Sequence, residues 1–285
     1  MENTKNETGT ILVLGANGKT GRRISSLLKG KGMDVRSGSR HAEPKFDWVD
    51  DSTWPGAVEN IISIYISYQP DLAVPRAIKD IESFVEMAKK TGVKKLVLLS
   101  GRGEKEAEQA EQVVVNSGLE WTILRASWFN QNFSEGYLLD PILAGYVALP
   151  AGEVKEPFID VDDIADVAVA ALTESGHVNR LYELTGPRLL SFNEAVNEIA
   201  IATDRKIHYE KLSLEAYKEM LAVYEIPKDQ IDLIGHLFSE VLDGRNASIA
   251  DGVFEALGRP AKDFSEFAQS LNDSGIWTEV PDSAI

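Results

Sequence analysis

The chain has 285 residues, 44% hydrophobic and 26% charged, which suits one large α/β domain or a domain with a smaller companion. Its 29 Lys and Arg against 45 Asp and Glu give a net charge of −16, which argues against non-specific binding to nucleic acid or an anionic membrane. Cysteine is absent, which removes disulfides, thiolate metal sites and cysteine nucleophiles. No apolar run reaches transmembrane length and Met1 to Gly9 is polar, so a cytoplasmic protein is expected, monomer or homodimer.

The first predicted strand, Ile11 to Leu14, runs into Gly15-Ala16-Asn17-Gly18-Lys19-Thr20-Gly21, and Ile24, Leu27 and Leu28 follow at helical spacing. Glycines there turn the chain tightly and let it approach a ligand, while the helix aims its first N–H groups at a phosphate. Gly15, Asn17, Gly18, Lys19, Thr20 and Gly21 are therefore expected to hold a dinucleotide. An ATP-type P-loop would need glycine where Val13 stands, so that alternative fails. From Gly15 to Lys45 the basic residues Lys19, Arg22, Arg23, Lys29, Lys31, Arg36, Arg40 and Lys45 face only Asp34 and Glu43, a positive window in an acidic chain.

The second strand, Asp34 to Ser39, ends without a carboxylate to receive a ribose hydroxyl. Ser39 and Arg40 stand there instead and suit a 2′-phosphate, so NADPH is expected over NADH. A short strand is predicted at Phe46 to Trp48, then strands at Ile61 to Ile66, Lys95 to Leu99 and Trp121 to Arg125. The amphipathic faces of Ile78, Ile81, Phe84 and Val85, and of Ala107, Ala110 and Val114, lie between them. This alternation predicts a Rossmann-type doubly wound parallel sheet, with ligands beyond the carboxyl ends of its strands. Ser67, Ser100 and Gly101, at such ends, are expected beside the cofactor.

After Ser127 the pattern loosens as far as Pro157. Phe158 to Val161, the helical face of Ile164, Val167, Ala168 and Ala171, and a strand at Arg180 to Leu184 then restore it. Beyond Pro187 the chain reads as mainly helical. The expected division is a cofactor domain of 1–127 and 157–186, and a smaller, mainly helical substrate domain of 128–156 and 187–285, with substrate in the cleft. Asp162 and Asp163 read as helix N-caps, Asp273 to Ile285 as a fraying end, and the four histidines lack metal-ligand spacing.

Several motifs now combine: the glycine loop with Arg22-Arg23, Phe46-Asp47-Trp48, Gly92-Val93-Lys94-Lys95 with Leu96 to Ser100, and Ser117-Gly118-Leu119-Glu120-Trp121-Thr122. With Trp128-Phe129-x-x-Asn132-Phe133 and Phe158-Ile159-Asp160-Val161-x-Asp163 they make the chain, from Thr10 to Phe267, resemble the NmrA-like branch of atypical short-chain dehydrogenases/reductases. The first two motifs are most similar to reductases of ergot-alkaloid biosynthesis and their bacterial relatives. The resemblance implies an extended Rossmann fold, NADP(H), and reduction of quinones, cationic dyes or iminium groups. Some members only sense redox state, which gives the alternative of a regulatory NADP(H)-binding protein.

The Tyr-x-x-x-Lys pair of better-known relatives occurs only as Tyr224 to Lys228, which contains Pro227 and lies outside the cofactor domain. The segment after Ser100 holds Glu104, Lys105, Glu106, Glu108 and Glu111, without the lysine that isoflavonoid-type relatives place further along it. No catalytic residue is thereby assigned, and Tyr68 is the reserve proton donor. Hydride addition to an iminium or triarylmethyl cation neutralises charge and needs no donor at that step. Trp128, Phe129, Phe133 and Phe158, with Asn132 among them, are expected to form the substrate wall and a cation–π surface.

Overall fold

The computed structural model describes residues 9–277. Its strands are β1 Thr10–Leu14, β2 Val35–Gly38, β3 Ile61–Ile66, β4 Lys95–Gly101, β5 Glu120–Ala126, β6 Tyr146–Leu149, β7 Lys155–Glu156, β8 Arg180–Leu184, β9 Leu190–Ser191 and β10 His208–Lys211. The helices are α1 Lys19–Gly30, α2 Trp54–Val58, α3 Ala77–Lys90, α4 Lys105–Val115, α5 Leu139–Ala144 and α6 Val161–Thr173. They continue as α7 Phe192–Thr203, α8 Leu214–Val223, α9 Lys228–His236, α10 Gly252–Leu257 and α11 Phe264–Asp273. Two compact units result. One takes the chain up to Ala126 with Asp162–Glu183 and Gly252–Arg259; the other takes Ser127–Val161, Leu184–Asp251 and the chain from Pro260.

The first unit is built on a six-stranded sheet in the order β2-β1-β3-β4-β5-β8. β1 to β5 pair in parallel, with Ile11 opposite Val35, Ile64 opposite Leu96 and Leu98 opposite Ile123. Strands such as Ile-Ile-Ser-Ile-Tyr-Ile are apolar on both faces because helices cover both faces of a parallel sheet. Ile24 and Leu28 of α1, and Ile81, Phe84, Val85 and Ala88 of α3, are buried. The chain leaves β1 first to β2 on one side and then to β3 on the other, so the carboxyl ends of β1 and β3 flank a topological switch point.

Phe46 to Trp48 forms a loop, not the expected strand; a single bridge joins Asp47 to Asp50. Aromatic packing overrides the local β pattern. Trp48 meets Phe46 and Phe84 edge-on at 5.0 and 5.3 Å, and Trp54 meets Phe84 at 5.7 Å. Trp54 Nε1 donates to Asp47 O at 2.8 Å, and Trp48 Nε1 donates to Ser67 O at 3.1 Å. The Phe-Asp-Trp motif thus ties this loop to the carboxyl end of β3.

The largest departures from the expected division are at residues 157–161 and 252–259. Gly252–Arg259 belongs to the first unit: a side chain at Gly252 would overlap the Glu183 backbone, and Arg259 pairs with Asp163 and Asp166 at 2.6 Å each. Residues 157–161 belong to the second unit and form no strand, only a parallel bridge from Ile159 to Phe129. Asp162 and Asp163 lie in the first turn of α6 rather than at its cap, Asp162 pairing with Arg23 at 2.6 Å.

The second unit carries two small sheets, parallel β6–β10 and antiparallel β7–β9, with α5, α7, α8, α9 and α11. Its core is aromatic. Phe133, Phe158, Phe192, Phe264 and Phe267 are buried, and Trp277 is fully enclosed with Nε1 donating to Phe133 O at 3.1 Å. The segment expected to fray is therefore anchored up to Trp277, because burying an indole contributes more than ordering a short tail costs. Residues 278–285 lie outside the described chain.

Candidate functional site

The carboxyl end of β1 gives a tightly constrained turn. Gly15 takes φ +68°, and its N–H and that of Ala16 donate to Gly38 O at 3.0 and 3.3 Å. A side chain at Gly21 would overlap the Gly15 carbonyl, and one at Gly38 would overlap Leu14. A Cβ at Gly15 would lie 3.2 Å from Ser67 Cβ, so the end of β3 closes one side of the turn. Three predicted residues, Gly15, Gly21 and Ser67, therefore meet in one cradle. Gln69, which the sequence offered no signal for, joins it: its Nε2 lies 3.7 Å from where a Cβ of Gly18 would stand.

The start of α1 completes this cradle. Gly18 caps the helix without a side-chain bond, and no acidic residue occupies its first turn. The unneutralised positive end of a helix is a ready anion site. Lys19 begins the helix, Thr20 is buried, and Asn17 is exposed beside them. The Gly15–Gly38 bond also brings the tip of β2 next to the loop, and Ser39 and exposed Arg40 follow directly. The remaining basic window is partly structural. Arg23 holds Asp162, Arg36 donates to Ala57 O and Glu59 O at 3.0 and 2.6 Å, and Lys45 lies 3.6 Å from Asp47.

At the end of β4 one residue expected beside the cofactor has a partner within the fold. Ser100 turns its hydroxyl inward, donating to Glu111 Oε1 at 2.6 Å. Glu111 is buried and receives Arg125 through Nε and Nη2 at 2.9 and 2.5 Å, and Arg125 reaches Glu183 at 3.3 Å. Burying a carboxylate requires such partners, and the Ser100 hydroxyl is one of them. Gly101 remains at the rim, with the Glu104 carboxyl packed against its Cα.

Tyr68, the reserve proton donor, likewise has a partner within the fold. Its hydroxyl donates to Asp80 Oδ2 at 2.6 Å, and Arg76 holds the same carboxylate at 2.8 Å. Burial, then the Asp80 bond, raise its pKa above the ordinary phenol range. Tyr68, Asp80 and Arg76 thus form a triad, with the Trp48 ring 4.8 Å from that of Tyr68.

Within the second unit, Phe133 and Phe158 meet edge-on at 5.5 Å and both are packed against Phe192 and Phe264. They are core rings with no open face. Trp128, Phe129 and Asn132 are only partly buried, Trp128 resting on Phe192 and Phe238 at 5.2 and 5.3 Å. Tyr224 is exposed at the end of α8, and Lys228 pairs with Asp232.

A carboxyl pair is the feature that the sequence did not disclose. Glu104 stands just before α4, and the acid that bears on it most is Asp71 from the loop after β3. Burial, then Asp71, push its pKa up to about 9. Thirty-three positions separate the two residues, so no spacing rule could have paired them.

A parallel sheet with a switch point, a glycine-only turn and an open helix N-terminus defines a dinucleotide-binding protein of the Rossmann class. The NAD(P)H-binding family model matches residues 15–175, and the chain belongs to that family of NAD(P)H-dependent oxidoreductases. It is 30% identical to festuclavine synthase II of Penicillium roqueforti, over 94% of this chain and 99% of that protein. It is 29% identical to NAD(P)H azoreductase of Xenophilus azovorans, over 91% and 97% respectively. The solved NADPH-dependent quinone oxidoreductase of Escherichia coli, complexed with NADPH, shares the fold at TM-score 0.74 and 20% identity, covering 92% of this chain and 99% of that one.

Proposed function

We propose that the protein is an NADPH-dependent reductase that delivers hydride to an electron-poor small molecule: an azo compound, a cyclic imine or iminium, or a quinone. The observation that carries this reading is the cradle itself, where Gly15 and Gly21 have no room for a side chain and α1 opens without an acid or a side-chain cap. A pyrophosphate needs that close approach and that positive helix end. NADPH, when bound, supplies the hydride.

The chain's residues bind and orient. Gly15, Gly18 and Lys19 to Gly21 would receive the pyrophosphate, and Ser67 and Gln69 would border it. Ser39 and Arg40 would receive the 2′-phosphate, Arg40 through a planar fork that a ribose hydroxyl does not require. Trp128, Phe129 and Asn132 are the partly buried residues left for substrate, and flat rings suit a conjugated acceptor. The likeness to festuclavine synthase and azoreductase supports acceptors with a polarised or conjugated double bond to nitrogen.

The test follows NADPH absorbance with a cyclic iminium, an azo dye, a quinone and a triarylmethane dye. Turnover of at least one is expected. Tight NADP⁺ binding with no turnover would replace this reading by redox sensing. For the cofactor, Arg40→Ala is expected to raise KM for NADPH about 10- to 100-fold, the loss of a charge-assisted pair, and to leave KM for NADH nearly unchanged. Equal effects on both cofactors would move the 2′-phosphate elsewhere.

A further inference from the structure

We propose that the groove between α1, α6 and α10 of the first unit is a self-association surface, filled by Phe254 of a second copy of this chain. The inference stands apart from the reductase reading.

The groove lies within one unit, since its walls come from α1, α6 and the Gly252–Arg259 segment. Val169 and Ala170 of α6 are its buried floor, and Leu27 of α1 and Leu257 of α10 stand at its sides. Leu27 is 39% exposed, an apolar side chain left in water although Ile24 and Leu28 of the same helix are buried. With a volume of about 240 Å³ the groove has room for a phenyl ring, for which a cavity of about 150 Å³ is sufficient.

Such a ring is at hand. Phe254 is 58% exposed and precedes Leu257 by three positions on α10, so the two share one helix face and the phenyl group stands beside the groove. A protrusion and a recess one helical turn apart are self-complementary. About a two-fold axis between them, each copy's Phe254 enters the other's groove. Buried aromatic anchors of this kind carry much of the energy of a protein interface.

Charge selects the occupant. A chain of net charge −16 repels its own copy, so a self-contact requires a face on which the charges balance. Here Arg259 is paired with Asp163 and Asp166 at 2.6 Å each. Lys31 and Glu174 also border the groove, and neither takes part in an ion pair among the described residues. Across the two-fold axis Lys31 of one copy faces Glu174 of the other, and the pair occurs twice; a partner of one sign would satisfy only one of these residues. The cofactor cradle stays open. α1 runs from the carboxyl end of β1 back to the amino end of β2, so Leu27 and Lys31 lie at the sheet edge opposite the glycine loop.

Sedimentation velocity on the full chain tests this, and a monomer–dimer equilibrium in the micromolar range is expected. Phe254→Asp should be monomeric over that range, with the Tm and NADPH affinity of the wild type, because the side chain is exposed and distant from the glycine loop. Lys31→Glu and Glu174→Lys should each weaken the dimer at least about tenfold by setting like charges opposite one another. An equimolar mixture of these two variants should dimerise again, because both pairs across the axis are then attractive. A wild type that stays monomeric would leave the groove to a different partner and overturn the proposal. So would a dimer that survives Phe254→Asp, or a mixture that stays monomeric, and in each case the reductase reading would stand.

Discussion

The glycines of the loop are distinguishable by what surrounds them. Gly21 is the most constrained of the loop, because any side chain would enter the Gly15 carbonyl that shapes the turn. Gly21→Ala is expected to weaken NADPH binding at least tenfold and to lower Tm by several degrees, since overpacking against backbone costs about 1–3 kcal/mol. Titration of NADPH fluorescence and a melting curve would check both effects. Ser100 gives the opposite expectation. Its hydroxyl serves Glu111, so Ser100→Ala should cost stability, about 1.5–3 kcal/mol for a bond to a charged group, with NADPH affinity within twofold of wild type. A large loss of affinity would return Ser100 to the cofactor.

At the scale of elements, most of unit one was legible. Apolar runs marked β1, β3 and β4, and helical spacing marked α1, α3 and α4. Phe46 to Trp48 misled because two aromatic residues in a loop have the β propensity of a strand, and only the contacts with Phe84 from α3 and Ser67 after β3 choose between them. Phe133 and Phe158 misled for a related reason: an aromatic side chain has the same sequence signal in a core and on a substrate wall. The start of α11 shows an element held by charge. Asp263 caps it by accepting from Ser265 N–H at 2.8 Å and pairs with Arg188 at 2.6 Å, which holds its pKa down at about 2. A depressed carboxyl stabilises the fold above its ordinary range and loses that contribution as pH falls toward 2. Asp263→Asn keeps the cap and removes the charge. It should cost about 1 kcal/mol at neutral pH, after allowance for solvent screening, and the difference from wild type should close between pH 4 and pH 2 in a pH series of urea melts.

For the whole molecule, each unit has its own core, and the second depends on its last described residue. Trp277 is enclosed, and Arg205 ties its carbonyl at 2.7 Å while holding Leu143 O at 2.6 Å. Trp277→Ala should cost about 3–5 kcal/mol by removing a buried indole, read as a shift in the urea midpoint. A loss under 1 kcal/mol would mean that the tail is peripheral. Among the described residues, no helix is long and apolar enough to cross a membrane.

The sequence by itself determined the sheet order's main ingredients, the glycine turn and the basic tip at Arg40, because each rests on residues close together in the chain. Local sterics and periodicity are sufficient there. Tertiary structure alone decided that Tyr68 and Ser100 donate to Asp80 and Glu111, and that Phe133 and Phe158 are core. Those outcomes depend on which distant groups meet out of water, where burial and a partner's charge decide whether a side chain is structural or available for chemistry.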